Sequence, residues 1–303
     1  MATAVMGDHE LEMGSNHLVE LKDSSDLVGD PAALRERFDE DGYLFIRGFY
    51  DPNLVEEVRR DILEDIEEEG YLDSTEPLSK GIVDPDWDGL EFDMSGTFWT
   101  HTPNSPTQSI QKLTEGDHVM DFFQSFLSEI PLAYDMKVGR AQARGGFTEF
   151  HVDHIFMNRG TDNVYSVWRP IGECPIEMGP LLICPGSHRH ERLQETYAEL
   201  DVDQDAFEWQ FSDDPFDVID TIGGPLATAD FRMGDALIFS SRLLHGSLAN
   251  QTDRFRISVD NRYQSVEEPV DGRWVGAEPI DHYNFGNWDN VTPMSELREE
   301  WGI

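Results

Sequence analysis

Lysine is nearly absent from this chain: Lys22, Lys80, Lys112 and Lys137 are its whole complement in 303 residues. Arginine carries most of the positive charge, and 22 basic against 61 acidic residues leave a net charge of −39. So negative a surface excludes nucleic acid and anionic membrane as natural partners. Cysteine is scarce too. Cys174 and Cys184 alone make neither a disulfide framework nor a metal-type spacing, which points to a reducing compartment. Long apolar runs are missing: no stretch nears the roughly 18 residues that span a bilayer. The acidic opening M-A-T-A-V-M-G-D-H-E lacks the pattern of a secretory leader. The expectation is a soluble, cytoplasmic protein. Disorder is excluded in turn, because seven Trp and eighteen Phe accompany well-patterned apolar runs. An acid-rich, lysine-poor surface suits a halophilic setting, where concentrated salt shortens the range of self-repulsion.

Residues 1–30 show no sustained periodicity and read as a loose acidic tail. A helix is expected from Pro31, with Asp30 as its N-cap and proline at the first helical position. Tyr43 to Ile46 reads as a short strand. A second helix is expected from Asp51 or Pro52 to about Glu69, with Leu54, Val55, Val58, Ile62 and Ile66 at helical spacing. The next 37 residues are rich in loop signals, and a third helix is expected over residues 115–127. Short apolar runs separated by Gly and Pro then continue to Tyr263, around Ala141 and over residues 147–153, 164–168, 181–184, 236–239 and 255–263. Closely spaced short strands predict a mainly β chain with flanking helices: a double-stranded β-helix, or jelly roll, of cupin-like type. Residues 31–303 are taken as one such domain, with an acidic excursion or lid near 195–220.

His151 and Asp153 stand two apart, so in a strand they face one side while Val152 faces the other. Nitrogen and oxygen donors without thiolate suit Fe(II), Mn(II) or Co(II) better than structural zinc. Alone the motif is weak: composition supplies about one H-x-D triplet by chance, and such a pair is as readily a surface hydrogen bond. His245, in L-L-H-G-S, is a candidate third ligand, with Gly246 letting the backbone turn beside it. In R-F-R-I-S-V-D, Phe255, Ile257 and Val259 face one way while Arg256 and Ser258 face the other. An arginine so placed needs an anionic partner, either an internal carboxylate or a bound acid.

The segments H-V-D, E-M-G-P-L-L-I-C-P-G-S-H-R and M-G-D-A-L-I-F-S-S-R-L-L-H-G-S-L-A-N-Q-T-D-R-F-R resemble the phytanoyl-CoA dioxygenase family. The opening F-D-E-D-G-Y-L-F-I-R-G-F-Y resembles that family's N-terminal segment, so the likeness runs in patches from Phe38 to Tyr263. The family consists of Fe(II)- and 2-oxoglutarate-dependent oxygenases, ectoine hydroxylases among them. The resemblance implies an iron triad of His151, Asp153 and His245, and Arg256 as partner of the far carboxylate of 2-oxoglutarate. It implies that Ser247 and Trp168 line the same co-substrate pocket, although Trp168 is equally suited to sandwich core. Gln142 is a weaker candidate, because the stretch before the triad departs from the family pattern. In P-G-S-H, Gly186 and Ser187 are expected to form a turn, and His188 is expected to be structural.

The implied activity is hydroxylation of an unactivated C–H in a small organic molecule, with dioxygen as oxidant and 2-oxoglutarate decarboxylated to succinate. Halogenating members of the superfamily resemble this scaffold with the carboxylate replaced by a small residue, so Asp153 favours hydroxylation. Phe156, Met157, Asn158, Arg159, Trp99 and His101 are candidate substrate contacts, each equally explained by core or surface. Arg159 and Arg169 would suit an acidic substrate if not paired locally. Rival readings are a cupin-type isomerase or hydrolase, which has no need of Arg256, and a non-catalytic binding protein, expected to have lost a ligand or the clamp.

Overall fold

Asp30, Pro31 and Gly42 bracket the first helix by separate physical means. In the computed structural model of the chain, which describes residues 3–93, 107–277, 279–280 and 282–303, the Asp30 carboxylate accepts from the amides of Ala32 and Ala33. Gly42 ends the helix in the left-handed region (φ +81°), its N–H donating to the Phe38 carbonyl at 2.7 Å. A side chain at Gly42 would strike His188, so this stop also seats the P-G-S-H turn.

The chain runs β1 (Thr3–Met6), β2 (His9–Glu12), β3 (Leu18–Glu20), α1 (Pro31–Asp41), β4 (Tyr43–Ile46), α2 (Pro52–Glu68), β5 (Glu91–Asp93), α3 (Thr107–Glu115) and α4 (Asp117–Leu127). It continues through β6 (Pro131–Ala133), β7 (Val138–Gln142), β8 (Tyr165–Pro170), β9 (Leu181–Ile183), α5 (Glu191–Glu195), α6 (Pro215–Ile222), β10 (Leu226–Thr228), β11 (Ala236–Ser240), β12 (His245–Ser247), β13 (Arg256–Ser265) and α7 (Met294–Trp301). The larger sheet has the order β4-β11-β8-β13-β7-β5, with β6 also on β13. The smaller has the order β12-β9-β10-β3. The two face each other as the double-stranded β-helix expected from the strand spacing, with helices outside.

Strand alternation sorts the large sheet. Ala141, Val167, Ile238, Ile257 and Val259 join Val55, Val58, Ile62, Leu113 and Phe123 of the helices in one core. The opposite face sends Trp168, Leu237 and Phe239, with Tyr43 and Phe45 of β4, against Leu181, Ile183 and Ala227 of the small sheet and Phe231 just past it. Each large apolar side chain, once buried, contributes about 1.5–3 kcal/mol. Along β13 the inward face is polar, carrying Arg256, Ser258, Asp260 and Arg262.

Four expectations need correction. The supposed tail is ordered: β1 and β2 form a hairpin, β3 runs parallel to β10, and Ala4, Met6, Leu11 and Leu18 are core. Its apolar residues are too few to show a period, and their partners lie far along the chain. The helix expected over 115–127 begins at Asp117, and a further helix, α3, not expected, precedes it across Gly116. Residues 147–153 are no regular strand: Phe150 and His151 make single bridges to Ser212 and His245, and a 3-10 turn begins at Asp153. The 195–220 segment lies between β9 and β10, but it is no surface flap. Tyr197, Val202, Phe207, Phe211 and Val218 are built into the core that holds Phe150 and Val152.

Candidate metal centre and co-substrate pocket

The two histidines meet through their backbones. The His151 N–H donates to the His245 carbonyl at 2.8 Å, and the His245 N–H returns the bond at 2.9 Å. This bridge joins β12 to the segment just ahead of the 3-10 turn, so the imidazoles lie side by side, centroids 4.3 Å apart. Gly246 is needed here for close approach rather than for a turn: a Cβ would come within 2.7 Å of the Thr148 carbonyl. Ser187 helps fix the start of β12 by accepting from the Leu244 amide at 2.8 Å.

Each imidazole has its Nδ1 tied to a carbonyl two residues upstream, His151 to Glu149 at 2.8 Å and His245 to Leu243 at 2.9 Å. Those acceptors require N–H at Nδ1, which leaves the lone pair on Nε2. Both Nε2 atoms lie 3.8 Å from Asp153 Oδ1, and one donor atom from each residue falls within 4.8 Å of the others. The second carboxylate oxygen is occupied: Oδ2 accepts from the Ser166 hydroxyl and from Arg262 at 3.0 Å. Asp153 is thereby oriented to present one oxygen.

Electrostatics favours metal-ready protonation states. Burial, reinforced by His245, pushes His151 down to about 3, and burial likewise lowers His245. Burial alone would raise Asp153, but Arg262, His245, His151 and the Ser166 hydrogen bond outweigh it and hold the carboxyl far below its usual range. Two neutral imidazoles and one carboxylate, converging from one side, fit a ferrous ion.

Beside the triad lies a narrow cavity, about 360 Å³ with its open mouth included, reached by Thr148, Trp168, Ser247, Arg256 and Ser258. Arg256 is buried. It donates to Ser258 Oγ at 2.7 Å, to Gln142 Oε1, and at 3.4 Å to Ser247 Oγ. Its Nε has no partner, and among the described residues no carboxylate pairs with it. Trp168 presents its ring 5.8 Å from the guanidinium carbon. Burial weakens the guanidinium's hold on its proton, as expected of a cation held among neutral groups.

A family model for phytanoyl-CoA dioxygenase (PhyH) matches residues 38–258. The chain belongs to the phytanoyl-CoA dioxygenase family. Solved structures of similar fold include SnoN, a non-heme α-ketoglutarate-dependent epimerase from nogalamycin biosynthesis, at TM-score 0.52 and 17% identity over 87% of this chain and 94% of that one. AviO1 from Streptomyces viridochromogenes matches at TM-score 0.52 and 16% identity, over 80% and 98% of the two chains. EctD from S. alaskensis, solved with 2-oxoglutarate and 5-hydroxyectoine, matches at TM-score 0.51 and 17% identity, over 88% and 86%. Likeness at such identities speaks to the fold alone.

In this family member, His151, Asp153, His245, Arg256, Ser247, Trp168 and the weaker candidate Gln142 all come together at one cavity or its wall. Gln142 stands opposite Arg256 in register on β7. His188 is structural, its Nε2 bonded to the Asp39 carbonyl at 3.2 Å. Met157 is core, Asn158 donates to the Leu200 carbonyl, and Arg159 is paired with Asp201 at 2.8 Å. Arg169 lies on the helix side of β8. Trp99 and His101 fall outside the described residues. Phe156 is well placed, its ring 5.9 Å from His151, with Trp209 at 5.5 Å on the same imidazole. Sequence reasoning missed Trp209, Ser166 and Arg262. The last two were within reach: extending the β13 alternation from Arg256 and Ser258 gives Asp260 and Arg262, and stepping back two from Trp168 gives Ser166. Among the described residues, no helix is long and apolar enough to cross a membrane.

Proposed function

We propose that this chain is an Fe(II)- and 2-oxoglutarate-dependent dioxygenase that hydroxylates an unactivated C–H of a small organic substrate. The observation that carries the reading is Arg256, a buried cation with no carboxylate partner among the described residues, in the wall of the cavity that holds His151, Asp153 and His245. A buried guanidinium in this state gains most from a bidentate carboxylate ligand. Bound there, iron and 2-oxoglutarate together supply the oxidising power, with 2-oxoglutarate decarboxylated to succinate as dioxygen is reduced.

The protein residues supply geometry. His151, Asp153 and His245 would hold the metal by one face and leave the other to co-substrate and dioxygen. Arg256 would take the far carboxylate, with Ser247 hydrogen-bonding to it and Trp168 forming the wall. Phe156 and Trp209, packed on His151 and backed by Phe285, would exclude water from the reacting carbon and favour an apolar group there. Asp153, where halogenating relatives have a small residue, supports hydroxylation as the outcome, although SnoN shows that epimerisation also occurs on this fold.

The test begins without substrate. 2-Oxoglutarate is titrated anaerobically into the Fe(II) protein, and the metal-to-ligand charge-transfer band is followed in the visible region. Saturation is expected in the wild type, with no band in His245→Ala. A folded, iron-loaded protein that shows no band would refute the reading in favour of a cupin-type isomerase, a hydrolase or a binding protein. Incorporation of label from ¹⁸O₂ into product then separates hydroxylation from epimerisation.

A further inference from the structure

Arg169 is among the largest fully buried side chains of the protein. It neighbours Trp168 on β8, but the pleat turns it away from the metal cavity and into the layer between sheet and helices. There it meets Tyr50 and Tyr263. A guanidinium carries five N–H donors and no acceptor. One nitrogen, Nη2, reaches the Tyr263 hydroxyl at 3.5 Å, a long and weak contact. That hydroxyl spends its own proton on the Thr114 carbonyl at 2.6 Å. Nε and Nη1 have no partner.

Among the described residues no carboxylate pairs with Arg169. Asp260 acts on Arg169 electrostatically, but it lies on the inward face, shared between Arg140 at 3.5 Å and Arg262 at 3.7 Å. Tyr50 sets its ring 5.1 Å from the guanidinium carbon, and its buried hydroxyl has no hydrogen-bond partner. Burial raises the Tyr50 and Tyr263 phenols well above their ordinary range, so both stay neutral and neither balances the charge.

We infer that Arg169 and Tyr50 form a buried site for a small monovalent anion, chloride in the first instance. Two N–H groups without partners and the Tyr50 hydroxyl lie in the same buried layer, where an unpaired ion is costly. An anion at this point accepts from all three groups and cancels the charge. Water can accept too, but it leaves the charge in place. Divalent sulfate or phosphate is too large for a layer packed this closely. Tyr50 also lines a groove with Leu54, Lys112, Leu113, His118 and Val119 that opens to the surface, with about 780 Å³ of space that includes its open mouth. The bound ion ties β8 to the turn ahead of α2, and its first effect is on stability.

The test needs neither iron nor 2-oxoglutarate. Crystals are grown or soaked in bromide, and anomalous difference density is sought at Arg169. In parallel, the thermal midpoint is followed as chloride replaces gluconate at fixed ionic strength, in wild type, Tyr50→Phe and Arg169→Met. The difference between wild type and variant removes general salt effects. A bromide peak against the guanidinium and a saturable chloride stabilisation are expected. Tyr50→Phe should require roughly tenfold more chloride, the loss of one hydrogen bond to a charged group, and Arg169→Met should show no saturable response. Water or a protein acceptor at Arg169 in place of bromide would overturn the inference. So would a peak without chloride-specific stabilisation, which would mark an adventitious ion only. If Arg169→Met does not fold, the wild-type map and Tyr50→Phe decide.

Discussion

The inward face of the large sheet has two ends that are equally buried and oppositely finished. At the metal end the charges close on each other: Asp153 takes Arg262 and Ser166, and Asp260 lies between Arg140 and Arg262. At the other end the acceptors of Arg256 among the described residues are neutral: Gln142, Ser247 and Ser258. Depth does not explain the contrast, since Asp153, Arg262 and Arg256 are all buried. A balanced cluster keeps its shape unaided. On the proposed reading, the electrostatic cost of the cation at the other end is what the far carboxylate of 2-oxoglutarate would remove.

The sharpest way to break this contrast is Arg256→Ala. Losing a buried charge contact costs about 2–5 kcal/mol, or roughly 30-fold to several thousand-fold in 2-oxoglutarate affinity. Titration of the charge-transfer band should show that loss, while iron affinity measured without co-substrate stays within a few-fold. Arg262→Met attacks the balanced end. Asp153 then loses its counter-charge, and iron binding should weaken by roughly 10- to 100-fold, with Arg262→Lys recovering part of it. A competition titration against a chelator reads both.

Acid should separate the two ends without mutation. In the metal-free protein His151 is held down at about 3, below its unfolded value, so the unfolded chain takes up the proton first. Stability is therefore full above about pH 6.5 and falls as pH drops towards 3, by up to about 1.4 kcal/mol per pH unit for this group. Iron should leave that slope unchanged down to about pH 3 and carry it further below, because it keeps the proton off Nε2 in the folded protein; 2-oxoglutarate alone should not. Denaturant midpoints across pH check both statements. The smallest effect belongs to Gln142→Leu, which removes one neutral acceptor from Arg256. About 1 kcal/mol, or some fivefold in 2-oxoglutarate affinity, is expected.

Much of this was legible in the chain because the signals were local. Asp30-Pro31 starts a helix by chemistry contained in two residues, and the two-residue period of β13 exposes its polar face at once. The hairpin of residues 3–12 was not legible, since Met6 and Leu11 count as core only once the strands they pack against are known. Asp153 was correctly expected to join His151 but for an incomplete reason: a 3-10 turn, not a strand, aims it. Trp209 left no mark either, because an aromatic in an acidic stretch gives no sign that the fold will bring it to His151.

The reciprocal backbone bonds between His151 and His245 also bear on how the protein acquires its metal. Many small metal sites come into being only when the ion arrives, so loading and folding are one event. Here the spacing of two ligands is written into main-chain hydrogen bonds that involve no side chain. That spacing does not depend on a bond to the ion. Loading should therefore be governed by access and by exchange between competing ions more than by folding.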